Sequence, residues 1–108
     1  MRSDLVLPTG DPATERKKLK FEWDNNKAAR NLEKHGVSFD EAATAFADPL
    51  YIDFFDPEHS DDEHRYIRVG CSERRHVLVV SYTERRGATR LISARLATKN
   101  ERQAYEEY

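Results

Sequence analysis

The sequence predicts an α+β domain in which helices pack against one face of a mostly antiparallel sheet. Three observations carry this prediction. Two helix-start signals lie close together near the front, separated by a glycine stop. Four short apolar and aromatic runs then follow, divided by turn clusters. A capping signature finally opens a helix near the C-terminus, giving the order β-α-α-β-β-β-β-α.

Residues 1–20 come first, holding Pro8, Gly10, Asp11 and Pro12 ahead of Arg16, Lys17 and Lys18. With no sustained apolar period they read as a flexible tail, leaving residues 21–108 as the folded domain. Phe21 to Trp23 reads as a short strand. Asp24 is an N-cap for a helix from Asn25 to His35, with Ala28, Leu32 and His35 on one face at i, i+4 and i+7. Gly36 stands where a left-handed C-terminal cap is wanted. Ser38-x-x-Glu41 is a capping-box signature for a second helix whose buried stripe is Phe39, Ala42, Ala43 and Phe46, stopped by Asp48-Pro49.

The strand candidates are Leu50 to Phe55, Arg65 to Cys71, Val77 to Tyr82 and Thr89 to Arg95. Asp56-Pro57, Ser72 to Arg75 and Arg86-Gly87 punctuate them, and the last two gaps suit antiparallel hairpins. Thr98-x-x-Glu101 opens the closing helix.

At 108 residues the chain fits one domain with a modest core, since charged residues make up 35% and hydrophobic ones 38%. No apolar run is long enough to span a membrane and the start lacks a signal-peptide pattern, so a soluble cytoplasmic protein is expected. Cys71 is the single cysteine, which excludes an intrachain disulfide and a cysteine metal cage. The net charge of −2 conceals a segregation. Residues 38–63 hold nine acids and no Lys or Arg, whereas residues 65–102 hold ten bases and three acids. Such a local basic field attracts phosphates whatever the total charge. The alternative is a solvated surface paired with the acidic segment.

Four motifs lie in register: Phe21-Glu22-Trp23-Asp24 with Lys27 and Asn31; Lys34-His35-Gly36-Val37-Ser38-Phe39; His59-Ser60-x-x-Glu63-x-Arg65; and Ile92-Ser93-Ala94-Arg95 leading into Ala97-Thr98-Lys99-x-Glu101-Arg102. In this order the chain resembles the BrnT family of bacterial type II toxins, small ribonucleases of the RelE-like superfamily. The resemblance covers residues 21–106. It implies a RelE-like fold and RNA cleavage without metal, in which the ribose 2′-OH attacks its own 3′-phosphate. It also implies neutralisation by a BrnA-like ribbon-helix-helix antitoxin in a hetero-oligomer, through which operator DNA is contacted only indirectly. No cofactor is expected.

Cleavage of this kind wants cations on the phosphorane oxygens, a base near the 2′-OH and an acid for the leaving oxygen. Arg65 shares strand parity with Ile67 and Val69, and Arg95 with Leu91 and Ser93. An arginine on an apolar-parity position pairs with an acid, reaches water at the sheet end or serves a ligand. Both suit the cationic role because a guanidinium matches phosphate bidentately. Glu63 is the candidate base, and His59 or His35 the candidate proton-transfer group. Positioning and charge alone also supply much of such an acceleration. Lys34, His35, Arg85, Arg90, Lys99 and Arg102 complete the candidate RNA face.

Structural readings stand beside these. His35 suits a helix C-terminus, His59 a solvent-exposed loop, Lys34 a solvated helix face, and Trp23 and Tyr105 packing rather than base stacking. The run from His59 to His64 matches no metal-ligand spacing. The rival function is a toxin-fold protein without catalysis, acting with its antitoxin as a transcriptional co-repressor.

Overall fold

The computed structural model describes residues 19–59 and 63–108, and of His59 its backbone. The elements are β1 (Phe21–Glu22), α1 (Asn25–His35), α2 (Phe39–Thr44), a 3-10 turn (Ala45–Ala47), β2 (Ile52–Asp56), a second 3-10 turn (Pro57–His59), β3 (Arg65–Cys71), β4 (Val77–Arg85), β5 (Ala88–Leu96) and α3 (Lys99–Glu107). The expected order holds, with the two 3-10 turns added. Of the predicted tail, residues 1–18 lie outside the described residues.

Local chemistry places the ends. The Asp24 carboxylate accepts from the Lys27 amide at 3.0 Å, and Gly36, at φ 72°, closes α1 by donating to the Leu32 carbonyl. Ser38 caps α2 through the Glu41 amide at 3.0 Å. The reciprocal half of that box is not made, because the Glu41 carboxylate is spent elsewhere. It accepts from Ser72 Oγ and meets His76 Nδ1, each at 2.7 Å, pinning the β3–β4 hairpin to α2. Burial works to raise the Glu41 pKa, but these bonds outweigh it and hold the carboxyl below its ordinary value. At α3 the capping box is complete, Thr98 and Glu101 each bonding the other's backbone.

The sheet order is β1-β5-β4-β3-β2, with β1 parallel to β5 and every other pair antiparallel. Arg86 and Gly87, both at positive φ, make the tight β4–β5 turn. Cross-strand partners share a face. One face carries Leu78, Val80, Tyr82, Leu91 and Ala94, and packs with Val37, Phe39, Ala42 and Phe46 as the core. The stripe predicted for α2 is therefore right in direction, with Ala45 more deeply buried than Ala43.

Three expectations need correction. The helices are not all on one face, because α3 crosses the other. Its Ala104 and Tyr105 line a cavity of about 310 Å³ with Ile52, Ile67, Val69 and Val79, and the Tyr105 hydroxyl donates to the Asp48 carboxylate. On α1 the inward residue is Asn31, while Leu32 is half exposed. Asn31 wins that place because its amide accepts from the Ala94 N–H at 3.0 Å and donates to the Ala94 and Val37 carbonyls at 2.8 and 2.9 Å. It thereby covers β5 where β1 no longer pairs with it. Lastly, Leu91 and Arg95 do not share a face. The β4–β5 register slips between Ser81/Ser93 and Tyr82/Leu91, leaving Ile92 as the extra residue and reversing the parity beyond it.

Candidate active site

On the face crossed by α3, the far end of the sheet gathers charge. A transverse row runs Asp56, Arg65, Thr83, Arg90 across β2 to β5, and Glu22 on β1 continues it. Glu63, just ahead of β3, bridges two arginines: its carboxylate meets Arg85 Nη2 at 2.9 Å and Arg65 Nε at 3.8 Å. Arg90 Nη1 reaches Glu22 at 3.1 Å. The strands bring these together because β3 begins and β4 finishes at the same end of the sheet, with Arg85 immediately before the β4–β5 turn.

The electrostatics follow from that crowding. Glu63 is held below the ordinary carboxylate range, first by the Arg85 hydrogen bond, then by the positive fields of Arg85, Arg65 and Arg90. Its partner Arg85 is raised by the same bond. Glu63 is thus an ionised group at neutral pH and a weak base. Its side chain and that of Arg65 are each about one-third exposed, at 32% and 34%, so solvent reaches the pair. The arrangement is a carboxylate seated among guanidinium groups at a water-accessible sheet end, which is also how a phosphate would be held.

Four residues singled out in the sequence, Glu63, Arg65, Arg85 and Arg90, therefore meet. Arg95 does not join them. It stands opposite Val79 while Arg65 stands opposite Thr83, four residues along β4, or roughly 13 Å at a strand's rise per residue. There it forms a forked pair with Glu101, at 2.8 and 2.9 Å. That fork, ahead of the other causes, depresses the Glu101 pKa to about 2. One Glu101 oxygen also accepts from the Thr98 amide at 2.8 Å, so Arg95 is tied into the cap of α3.

Lys99 and Arg102 are exposed on α3, beside Arg95 rather than beside Glu63. Lys34 and His35 end α1, which packs on the opposite side of the sheet; Lys34 is exposed and His35 half-buried. The His59 side chain lies outside the described residues. Trp23 and Tyr105 both pack, Trp23 edge-on to Phe39 at 5.8 Å and Tyr105 over the sheet. Among the described residues no group of three His, Cys, Asp or Glu is placed to hold a metal ion. A separate cavity of about 500 Å³, lined by Leu19, Phe21, Asp48, Cys71 and Glu73 among others, has no Lys or Arg among the described residues that line it.

Sequence reasoning weighed His64 only within a metal-ligand run and did not single out the aromatic row behind the arginines. Phe55, Tyr66 and Tyr82 are cross-strand neighbours on β2, β3 and β4. Each alternates correctly within its own strand, but only the register puts them in line. Beside them Arg68 lies over the Tyr51 ring at 3.7 Å and forks onto Asp53 at 2.8 Å, a packing role for that base.

The model of a family described as the ribonuclease toxin, BrnT, of type II toxin–antitoxin systems matches residues 23–101. Among solved structures, the Brucella abortus ribonuclease toxin BrnT is 21% identical, with a TM-score of 0.56. That match covers 75% of this chain and 99% of the other, a likeness of fold. No curated protein matches. Among the described residues no helix is long and apolar enough to cross a membrane.

Proposed function

The chain belongs to the BrnT family of ribonuclease toxins of type II toxin–antitoxin systems, and from that premise we propose a metal-independent endoribonuclease acting at the Glu63–Arg65–Arg85–Arg90 cluster. The ribose 2′-OH attacks the adjacent phosphorus, a new O–P bond forms, and the bond to the 5′ oxygen breaks. The products are a 2′,3′-cyclic phosphate and a 5′-OH, with the 2′ proton passing to solvent and the leaving oxygen protonated from it. The observation that carries the reading is the carboxylate of Glu63 lying between Arg65 and Arg85, with Arg90 on the same face.

In this mechanism the substrate phosphate displaces Glu63, and the three guanidinium groups take up the charge that develops on the phosphorane oxygens. Preorganised donors of this kind supply most where charge grows during the reaction. Glu63, with its lowered pKa, holds the arginines in place in the free protein rather than accepting the 2′ proton. Arg95 supports the site from a distance by fixing α3.

The biological setting follows the family. RNA cleavage in the cytoplasm stops translation and growth until a BrnA-like ribbon-helix-helix antitoxin binds the toxin in a hetero-oligomer, and that antitoxin contacts operator DNA on behalf of the complex. The test is cleavage of single-stranded RNA by purified protein with EDTA present, followed by end-group analysis. Cyclic phosphate and 5′-OH ends are expected. Activity lost on chelation and regained with Mg²⁺ overturns the mechanism. Growth unaffected by high levels of folded protein puts the co-repressor reading in its place.

A further inference from the structure

We propose that the aromatic shelf of Phe55, Tyr66 and His64 is a base-stacking subsite for single-stranded RNA, wrapped around the sheet end from the arginine cluster. The inference rests on the ribonuclease reading above and adds to it where a base goes. Consecutive strand residues point to opposite faces. The row Phe55–Tyr66–Tyr82 therefore lies back to back with the row Asp56–Arg65–Thr83–Arg90, one residue away on each of β2, β3 and β4.

The rings form a continuous surface. Tyr66 stacks on Tyr82 with centroids 5.6 Å apart, Phe55 meets Tyr66 edge-on at 5.8 Å, and His64 meets Phe55 edge-on at 5.4 Å. Tyr82 is buried and anchored, its hydroxyl donating to Asp53 at 2.8 Å. The outer rings are not covered: Phe55 is 50% exposed, His64 is exposed and Tyr66 is half-buried. Aromatic surface turned to water on an edge strand is the kind of patch that a ligand covers.

The shelf is also continuous with the cluster. An open cavity of about 400 Å³ is lined by Glu63, His64, Tyr66 and Glu84, so one hollow touches both the arginine-bound carboxylate and the aromatic floor. Among the described residues Glu84 accepts from Thr89 Oγ1 alone, at the long distances of 3.3 and 3.5 Å. Its oxygens are therefore able to accept from the exocyclic amino group of a stacked base. A strand whose phosphate sits on Arg65 and Arg85 turns its neighbouring base over the sheet end, where the positive cluster offers charge and the shelf a π surface. Stacking of this type tolerates any base, and Glu84 biases the choice toward bases with an amino group over uracil.

The experiment uses the full chain and an uncleavable probe, single-stranded RNA with 2′-O-methyl riboses and one 2-aminopurine walked along it. Stacking quenches that fluorophore. Quenching at one position is expected with the native protein. Phe55→Leu and Tyr66→Leu should each abolish it and weaken binding about tenfold, in keeping with the worth of one stacked base. Phe55 lies on an exposed edge, so its variant should keep the native thermal midpoint even if Tyr66→Leu does not. Glu84→Gln should narrow the gap between amino-bearing bases and uracil. If Phe55→Leu quenches and binds as the native protein does, the shelf is not an RNA subsite, and a surface for a protein partner takes its place. Cleavage of ordinary RNA, measured in parallel, judges the ribonuclease reading separately, because the quench needs no turnover.

Discussion

Replacing Asn31 by alanine should unfold this domain far more readily than its polar character suggests. The side chain is 7% exposed and makes three hydrogen bonds, two of them to Ala94 on β5 and one to Val37. Truncation leaves one buried amide and two carbonyls without that partner. At about 1 kcal/mol of net worth per bond the loss is about 3 kcal/mol. Alanine's better helix propensity returns about 0.5 kcal/mol. The net loss of about 2.5 kcal/mol corresponds to a fall in Tm of roughly 10–20 °C for a domain of this size. Urea denaturation followed by Trp23 fluorescence measures it, since Trp23 packs edge-on to Phe39 in the core region. Leu32→Ala is the control: it lies one residue on, is 51% exposed and should cost under about 1 kcal/mol. The reasoning is refuted if Asn31→Ala loses less than Leu32→Ala.

Arg65→Lys and Arg85→Lys keep a charge but lose the fork, so RNA cleavage should fall by about 10²–10³ while the thermal midpoint stays near native; normal cleavage would mark them as structural. Arg95→Lys should show the reverse balance, weakening α3 through its lost fork with Glu101 and lowering the midpoint more than the turnover. Glu63→Gln frees the arginines, and single-turnover kinetics should show a lower KM with kcat changed less than tenfold; a collapse of kcat would restore Glu63 as the base. Glu101 has a folded pKa of about 2 against an ordinary 4.5. The unfolded chain therefore binds the extra proton between those values, and the stabilisation present above about pH 4.5 is lost as pH falls toward 2. Circular dichroism against pH should show that loss, and Glu101→Gln should abolish this component of it. At Gly70 an added Cβ would stand 2.9 Å from the Ala45 carbonyl oxygen, so Gly70→Ala should cost about 1–3 kcal/mol in chemical denaturation.

Much of this fold is written locally. Asp24, Ser38 and Thr98 each cap the helix that their spacing indicates, and Gly36 closes α1 because an αL residue is wanted there. The strands from Arg65 and Val77 begin where alternation puts them, and Arg86-Gly87 makes its turn. Such features depend on residues within a few positions of one another, so a linear reading captures them. Four motifs in register also indicated the family, which the match over residues 23–101 shows.

What the sequence left open is whatever depends on register between distant segments. Asn31 and Ala94 are 63 residues apart, and nothing in the period of α1 distinguishes that asparagine from Leu32 as the inward group. Strand alternation put Arg95 on the side of Leu91, and a single extra residue at Ile92 reversed it. The sheet then divided the basic residues into separate groups: Arg65, Arg85 and Arg90 about Glu63, Arg95 on Glu101, and Lys34 with His35 at the end of α1 on the other side of the sheet. A side chain's face is local, but its neighbours across a sheet are chosen by pairing and bulges. Those are decided only when the whole chain closes on its core.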